Sequence, residues 1–254
     1  MYSLFIIFLK ETKVMINLHN DDCFNIFPNI PRNSIDLFIC DLPYNQTNCS
    51  WDKIPFDLDK LWIELKRIGK KHSAYIFTTT TKFGHLIIES NKKMFRYDIV
   101  YEKTMSLGFY HANQMPLRSH EMIYVFYKHL PTYNPIMIEG HKPYIRQGQG
   151  PRTELYTHYT ERTPTICKDG KRFPRSVIKF SNGNHKSKHP CSKPYDLFEW
   201  IIKSYSNPYD SVLDCCMGIG NSGLACRNLK RNYIGIEIDK NYFEIAKENI
   251  ENSI

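Results

Sequence analysis

The residues best placed to do chemistry are Asp41, Pro43 and Tyr44, in the run Asp41-Leu42-Pro43-Tyr44. They follow the apolar run Ile35-Asp36-Leu37-Phe38-Ile39-Cys40, which predicts a buried parallel strand. A carboxylate, a rigid proline and an aromatic ring thus gather at the carboxyl end of a strand. In open α/β sheets that edge is where ligands bind. The trio suits a planar amino group. The carboxylate and a backbone carbonyl accept its two N–H bonds, and the ring stacks on the attached base. Four residues alone would equally make an ordinary strand-to-loop turn, so the rest of the chain decides.

A second constellation lies far downstream. Val212-Leu213-Asp214-Cys215-Cys216-Met217-Gly218-Ile219-Gly220-Asn221-Ser222-Gly223 reads as a strand, a Gly-x-Gly turn and a helix start. Glycines there let backbone approach a ligand closely, and a helix start presents free N–H groups. The next strand ends in Glu237, where an acid can hydrogen-bond ribose hydroxyls. The glycines fall at 218, 220 and 223, so the full dinucleotide pattern is absent. An acid at the strand end fits a cationic, phosphate-free cofactor better than a pyrophosphate.

The elements that must hold these groups alternate in type. Residues 57–70 carry apolar side chains at helical spacing, and 73–77, 97–103 and 122–127 read as strands. Residues 82–91 read as a helix. After an irregular stretch the α/β texture returns: a helix over 192–205, strands at 211–214 and 233–237, and helices over 222–229 and 242–252. This is a βαβ unit.

The irregular stretch is also where the charge sits. Residues 128–189 hold 12 Lys or Arg against 4 Asp or Glu, which accounts for the whole formal net charge of +8. Prolines and glycines punctuate it, and tyrosines alternate with Arg146, Arg152 and Arg162. A basic, tyrosine-rich segment suits phosphates and bases. The eight cysteines form no CxxC pair and include adjacent Cys215 and Cys216, so they read as reduced thiols of an intracellular protein, with no metal site. The apolar run Leu4–Leu9 is far too short to span a bilayer, and reads as a short extension or edge strand.

Together these features resemble the amino-methylating DNA methyltransferases. Asp41-Leu42-Pro43-Tyr44 is similar to their D-P-P-Y motif, and residues 213–235 to their methionine-and-ribose segment. The catalytic motif comes first, the order of the beta group. Leu18-His19-Asn20-Asp21-Asp22-Cys23 resembles a cofactor segment, and His189-Pro190-Cys191-Ser192-Lys193-Pro194 resembles H-P-T-Q-K-P. Ser119-His120-Glu121 with Val125-Phe126-Tyr127-Lys128 resembles a strand ahead of the recognition region, and the stretch from Asp41 to Tyr133, including Trp51-Asp52 and Met115-Pro116-Leu117-Arg118, resembles adenine methyltransferases of phages and prophages. Leu42 departs from the family's first proline, Asn45 from glycine, and Cys215-Cys216 from Pro-Phe. Cys191 and Ser192 stand for Thr and Gln, and Ile219 and Asn221-Ser222 for Ser and a Thr pair.

The resemblance implies a Rossmann-like α/β methyltransferase fold with circularly permuted motif order. Its sheet is expected to be mostly parallel and seven-stranded, with helices on both faces and a loop-rich insertion. The expected divisions are an extension (1–15), a catalytic half (16–129), a basic target-recognition insertion (130–188) and a cofactor half (189–254). S-adenosyl-L-methionine is the implied cofactor, with Glu237 on its ribose, Asp22 near adenosine, Asp214 near the cationic end, Ser192 or Lys193 at its carboxylate, and Gly218 and Gly220 beside it. Asp41 would accept one N6–H of a flipped adenine, the carbonyl of Leu42 or Pro43 the other, and Tyr44 would stack on the base. Arg118, Arg146, Arg152, Arg162, Lys171 and Arg172 are the candidate DNA contacts. The implied partners are double-stranded DNA and a cognate restriction endonuclease, with no membrane, for a monomer or homodimer. Cytosine N4 is the rival target. Glutamine or RNA methylation is more distant. A catalytically inactive DNA-binding protein with a degenerate cofactor site is the rival from another class.

Overall fold

In the computed structural model, residues 4–8, 14–44, 56–146, 165–182 and 192–252 are described. The strands are β1 (Leu4–Phe8), β2 (Met15–Asn20), β3 (Ile35–Cys40), β4 (Gly69–Thr79), β5 (Phe95–Leu107), β6 (Arg118–Phe126), β7 (Tyr144–Arg146), β8 (Thr165–Cys167), β9 (Val177–Phe180), β10 (Ser211–Asp214) and β11 (Asn232–Glu237). The helices are α1 (Cys23–Ile26), α2 (Leu58–Ile68), α3 (Thr81–Ser90), α4 (Tyr195–Tyr205), α5 (Asn221–Asn228) and α6 (Lys240–Asn252).

Nine strands form one sheet in the order β1-β2-β11-β10-β3-β4-β6-β5-β9. The expected seven are its interior, β2 through β5; β1 and β9 extend the edges. β1 runs antiparallel to β2, so the N-terminal apolar run is an edge strand. The pairs from β2 to β4 are all parallel, whereas β6 is antiparallel to both β4 and β5. β9 pairs parallel with β5.

Apolar side chains alternate between two cores because successive strand residues face opposite ways. Leu37 and Ile39 join Leu197, Ile201, Ala225 and Phe243 on the face covered by α4, α5 and α6. Phe38 and Cys40 join Ile26, Leu61, Trp62 and Ile87 on the face covered by α1, α2 and α3. Helices on both faces explain why β3 reads as a nearly unbroken apolar run.

Caps set the helix ends. The Asp57 side chain accepts from the Lys60 N–H at 2.9 Å and starts α2, which buries Leu61, Trp62, Leu65 and Ile68. α4 starts at Tyr195 instead of residue 192, with Pro194 at its N-cap. Proline disfavours helical backbone in the residue before it, so Lys193 stands outside the helix. Pro135–Arg175 forms a separate compact unit; β7 pairs with β8 inside it, and Arg172 lies over the Tyr144 ring. Among the described residues no helix is long and apolar enough to cross a membrane.

Candidate active site

A cavity of about 620 Å³ opens at the carboxyl ends of β3, β10 and β11. Asp41, Pro43 and Tyr44 line it, and so do Asp22, Gly218, Glu237, Ser192 and Lys193. The tetrad and the Gly turn come together because β3 and β10 are parallel neighbours, with Asp214 opposite Ile39.

The Asp41 carboxylate is the hub. Its Oδ1 lies 2.5 Å from the Tyr44 hydroxyl and 2.6 Å from Thr78 Oγ1. Lys193 Nζ lies 2.9 Å from both carboxylate oxygens. The Tyr44 hydroxyl is also 2.9 Å from the Thr78 carbonyl, and its one proton serves either acceptor. The Tyr44 ring sits 5.5 Å from that of Phe83. Burial, then the facing Asp41 carboxylate, pushes the Tyr44 phenol well up, so it stays protonated and donates. Lys193 approaches Glu121 at 3.3 Å, and Glu121 pairs in turn with Lys103. Burial alone would lower the Lys193 ammonium, but Asp41, Tyr44 and Glu121 hold it well above the usual lysine value. Burial would raise the Glu121 carboxyl; Lys193 and Lys103 hold it low instead. The ion pairs thus alternate acid and base, from Asp41 through Lys193 and Glu121 to Lys103.

The other side of the cavity is built from the Gly turn. Gly218 has φ +54 and donates its N–H to Glu237 Oε2 at 2.8 Å. The Asp239 N–H binds Glu237 Oε1 at 2.9 Å. Backbone donors thus hold this carboxylate in place at the cavity lining. Asp22 caps α1, accepting from the Phe24 N–H at 2.8 Å, and the Phe24 ring packs 5.3 Å from Phe56. Burial pushes the Cys23 thiol well up, so it stays protonated and inert.

The DNA methylase family profile matches residues 35–248. The chain belongs to the N6/N4 DNA methylase family. It is 30% identical to the Type II methyltransferase M1.MboII of Moraxella bovis, over 90% of this chain and 94% of that one. It is also 30% identical to M.HpaI of Haemophilus parainfluenzae, over 88% of this chain and 70% of the relative. Among solved structures, the M1.HpyAVI–SAM complex superposes with a TM-score of 0.62 at 23% identity, covering 93% of this chain and 100% of that chain. The PvuII DNA methyltransferase, described as cytosine-N4-specific, gives 0.67 at 13%, covering 96% and 89%.

Within this DNA methyltransferase three expected placements change. Asp214 is 1% exposed and does not line the cavity. Its carboxylate turns under the floor to accept from Ser222 Oγ at 2.6 Å and the Cys216 N–H at 3.1 Å. Gly220 is not at the cavity either. It has φ +81, and a Cβ there would come within 2.9 Å of the Ala246 Cβ, so it permits α6 to pack against the turn. Lys193 meets the Asp41 carboxylate itself.

Of the candidate DNA contacts, Arg118 lines the cavity. Arg146 is exposed on β7. Lys171 pairs with Glu139 at 3.2 Å, and Arg172 binds the Lys142 carbonyl at 2.7 Å, so part of the insertion's positive charge holds its own fold. Arg152 and Arg162 lie outside the described residues. Thr78, Lys103 and Glu121 are cluster members that the candidate residues did not include. In the sequence Glu121 stands out only as part of Ser119-His120-Glu121.

Proposed function

We propose that this methyltransferase moves a methyl group from S-adenosylmethionine to N6 of an adenine flipped out of double-stranded DNA. The observation that carries the reading is Asp41. It is a carboxylate held by three side chains in a cavity that Tyr44, Leu107, Arg118 and Glu237 also line.

The cavity suits the cofactor. Its volume falls within the roughly 300–1,000 Å³ of small-molecule sites. Glu237 would take the ribose hydroxyls, Asp22 would stand near adenosine, and Phe24 and Phe56 offer an aromatic wall. The bound cofactor supplies an electrophilic methyl on a sulfonium. The chain's own residues do the rest. An exocyclic amine is a poor nucleophile because its lone pair is delocalised into the ring. Asp41 accepts one N–H and the carbonyl of Leu42 or Pro43 the other, which turns the lone pair out of conjugation. Tyr44, with its ring edge-locked by Asp41 and Thr78, presents an aromatic face to the base. Flipping brings the base to these groups.

Aspartate rather than serine at position 41 supports adenine over cytosine N4. The same geometry would hold either amine, and mass spectrometry of nucleosides from methylated duplex separates them: N4-methylcytosine without N6-methyladenine overturns the reading. The insertion is proposed as the target-recognition region, supported by its charge. Neutralising Arg146, Arg152, Arg162, Lys171 and Arg172 together should weaken duplex binding and flatten its salt dependence. Unchanged binding would remove that role. A cognate endonuclease is a further proposed partner, by analogy with the Type II relatives.

A further inference from the structure

Asp41 is not a free acceptor. Oδ1 already faces Tyr44, Thr78 and Lys193, and Oδ2 faces Lys193. A docking amine must compete with a lysine ammonium, and a buried ammonium displaced without a new acceptor would be stranded. The structure contains the acceptor. Glu121 Oε2 is buried, receives no hydrogen bond from any described residue, and lies 3.3 Å from Lys193 Nζ. The other oxygen of Glu121 is occupied by Lys103. The 3.3 Å ion pair compensates the charge of this oxygen but leaves it without a formed hydrogen bond, and buried acceptors are nearly always hydrogen-bonded.

We propose that Lys193 is a movable counter-ion: when the target amine binds Asp41, the ammonium passes to Glu121 Oε2, which makes Glu121 a positioning residue for methyl transfer. The inference rests on the reading of Asp41 as the amine's acceptor. No proton changes hands. Lys193 keeps its three protons, gives up its bonds to Asp41 and makes one to Glu121. The four charges Asp41, Lys193, Glu121 and Lys103 stay balanced throughout. Before substrate arrives, Lys193 keeps Asp41 from being a bare buried carboxylate. After the shift, Asp41 meets the positive charge that develops on the amine without sharing it. Tyr101, opposite Glu121 in the β5–β6 register, has a second buried polar atom at the same wall, a hydroxyl without a described partner.

The test is single-turnover transfer of labelled methyl to duplex DNA by the full chain, with cofactor affinity measured separately. Glu121→Gln keeps the shape but weakens the acceptor. It should slow transfer about 10- to 100-fold, the scale of a misplaced reacting group, with cofactor affinity unchanged. Adding Lys193→Met to Glu121→Gln removes the trapped ammonium and should recover much of the rate, a sign reversal that a merely structural network would not give. An unchanged rate in Glu121→Gln, or a double variant no faster than the single, overturns the proposal. Asp41→Asn separates the two levels. If it loses transfer while Glu121→Gln is unaffected, only the hand-over fails; if it keeps the wild-type rate, the acceptor reading falls and the hand-over with it. A structure of the wild-type chain with duplex and demethylated cofactor avoids any folding defect of the variants. Lys193 Nζ at about 2.9 Å from Glu121 Oε2 supports the shift, and Nζ still on both Asp41 oxygens overturns it.

Discussion

Asp41 and Asp214 stand at the carboxyl ends of β3 and β10, hydrogen-bonded neighbours in the sheet. The Asp41 side chain is 19% exposed, lines the cavity and has an ammonium on both oxygens. Asp214 is 1% exposed, does not line the cavity, and is held by one hydroxyl and one backbone N–H. Burial pushes the Asp214 carboxyl up to about 7, partly offset by those two bonds. The same residue type at the ends of neighbouring strands, two register positions apart, thus serves two ends. A paired, half-open carboxylate can bind a ligand, and an unpaired, closed one ties a turn to a helix.

The comparison breaks most sharply on activity. Asp41→Ala should lower methyl transfer by roughly 10²–10³-fold, the scale of losing one preorganised electrostatic group, while leaving cofactor binding in place. Asp214→Asn should keep most of the transfer rate at saturating cofactor. A labelled-methyl assay showing the reverse order would undo the division of labour. Glu237→Gln tests the cavity side that Asp214 does not reach. Losing a charged acceptor should weaken cofactor binding by on the order of 10- to 100-fold in calorimetry, and equal binding would leave the ribose role without support.

The pH dependence of stability sharpens the contrast. The folded Asp214 holds its proton to about pH 7, above the ordinary value of 3.8. Its contribution is therefore full below about pH 4 and is lost as pH rises toward 7. Relative to Asp214→Asn, the wild-type chain should be more stable at pH 5 than at pH 8 by about 2 kcal/mol. A constant difference in melting across that range would show that the Asp214 carboxyl does not titrate there. An effect of similar size is expected at the turn. Gly220→Ala imposes a strained φ and crowds Ala246, and should lower stability by about 1–3 kcal/mol in denaturant melts. A neutral result would mean the turn has more room than Asp214's tie implies.

Much of this arrangement is legible in the residues. Ile35–Cys40 and Tyr233–Glu237 announce buried strands, and the turn glycines with Glu237 announce a cofactor edge. What is hidden depends on register and facing. Asp214 shares a strand face with Val212, whose side is covered by α5, so parity sends its carboxylate to Ser222. That follows only when one knows which helix covers which face. Lys193 meets Asp41 across 152 positions of chain, through a sheet order no local pattern carries. Glu121 joins them because β5 and β6 pair with Tyr101 opposite Glu121. β9 escapes the sequence reading because it is a short edge strand within the irregular stretch, whereas the apolar run of β1 is legible as an edge strand outside the family's seven.

The sheet order also governs how the chain is made. β2 and β3 are close in sequence but do not touch; β11 and β10 lie between them. As the polypeptide leaves the ribosome, the N-terminal strands can assemble only as two separate pieces facing a gap two strands wide. The apolar β3, buried on both faces in the end, waits with a bare hydrogen-bonding edge until residues 211–237 arrive to fill it. Chains truncated within the insertion should therefore expose a ready template for edge-to-edge aggregation, and the arrival of residues 211–237 is what closes the sheet.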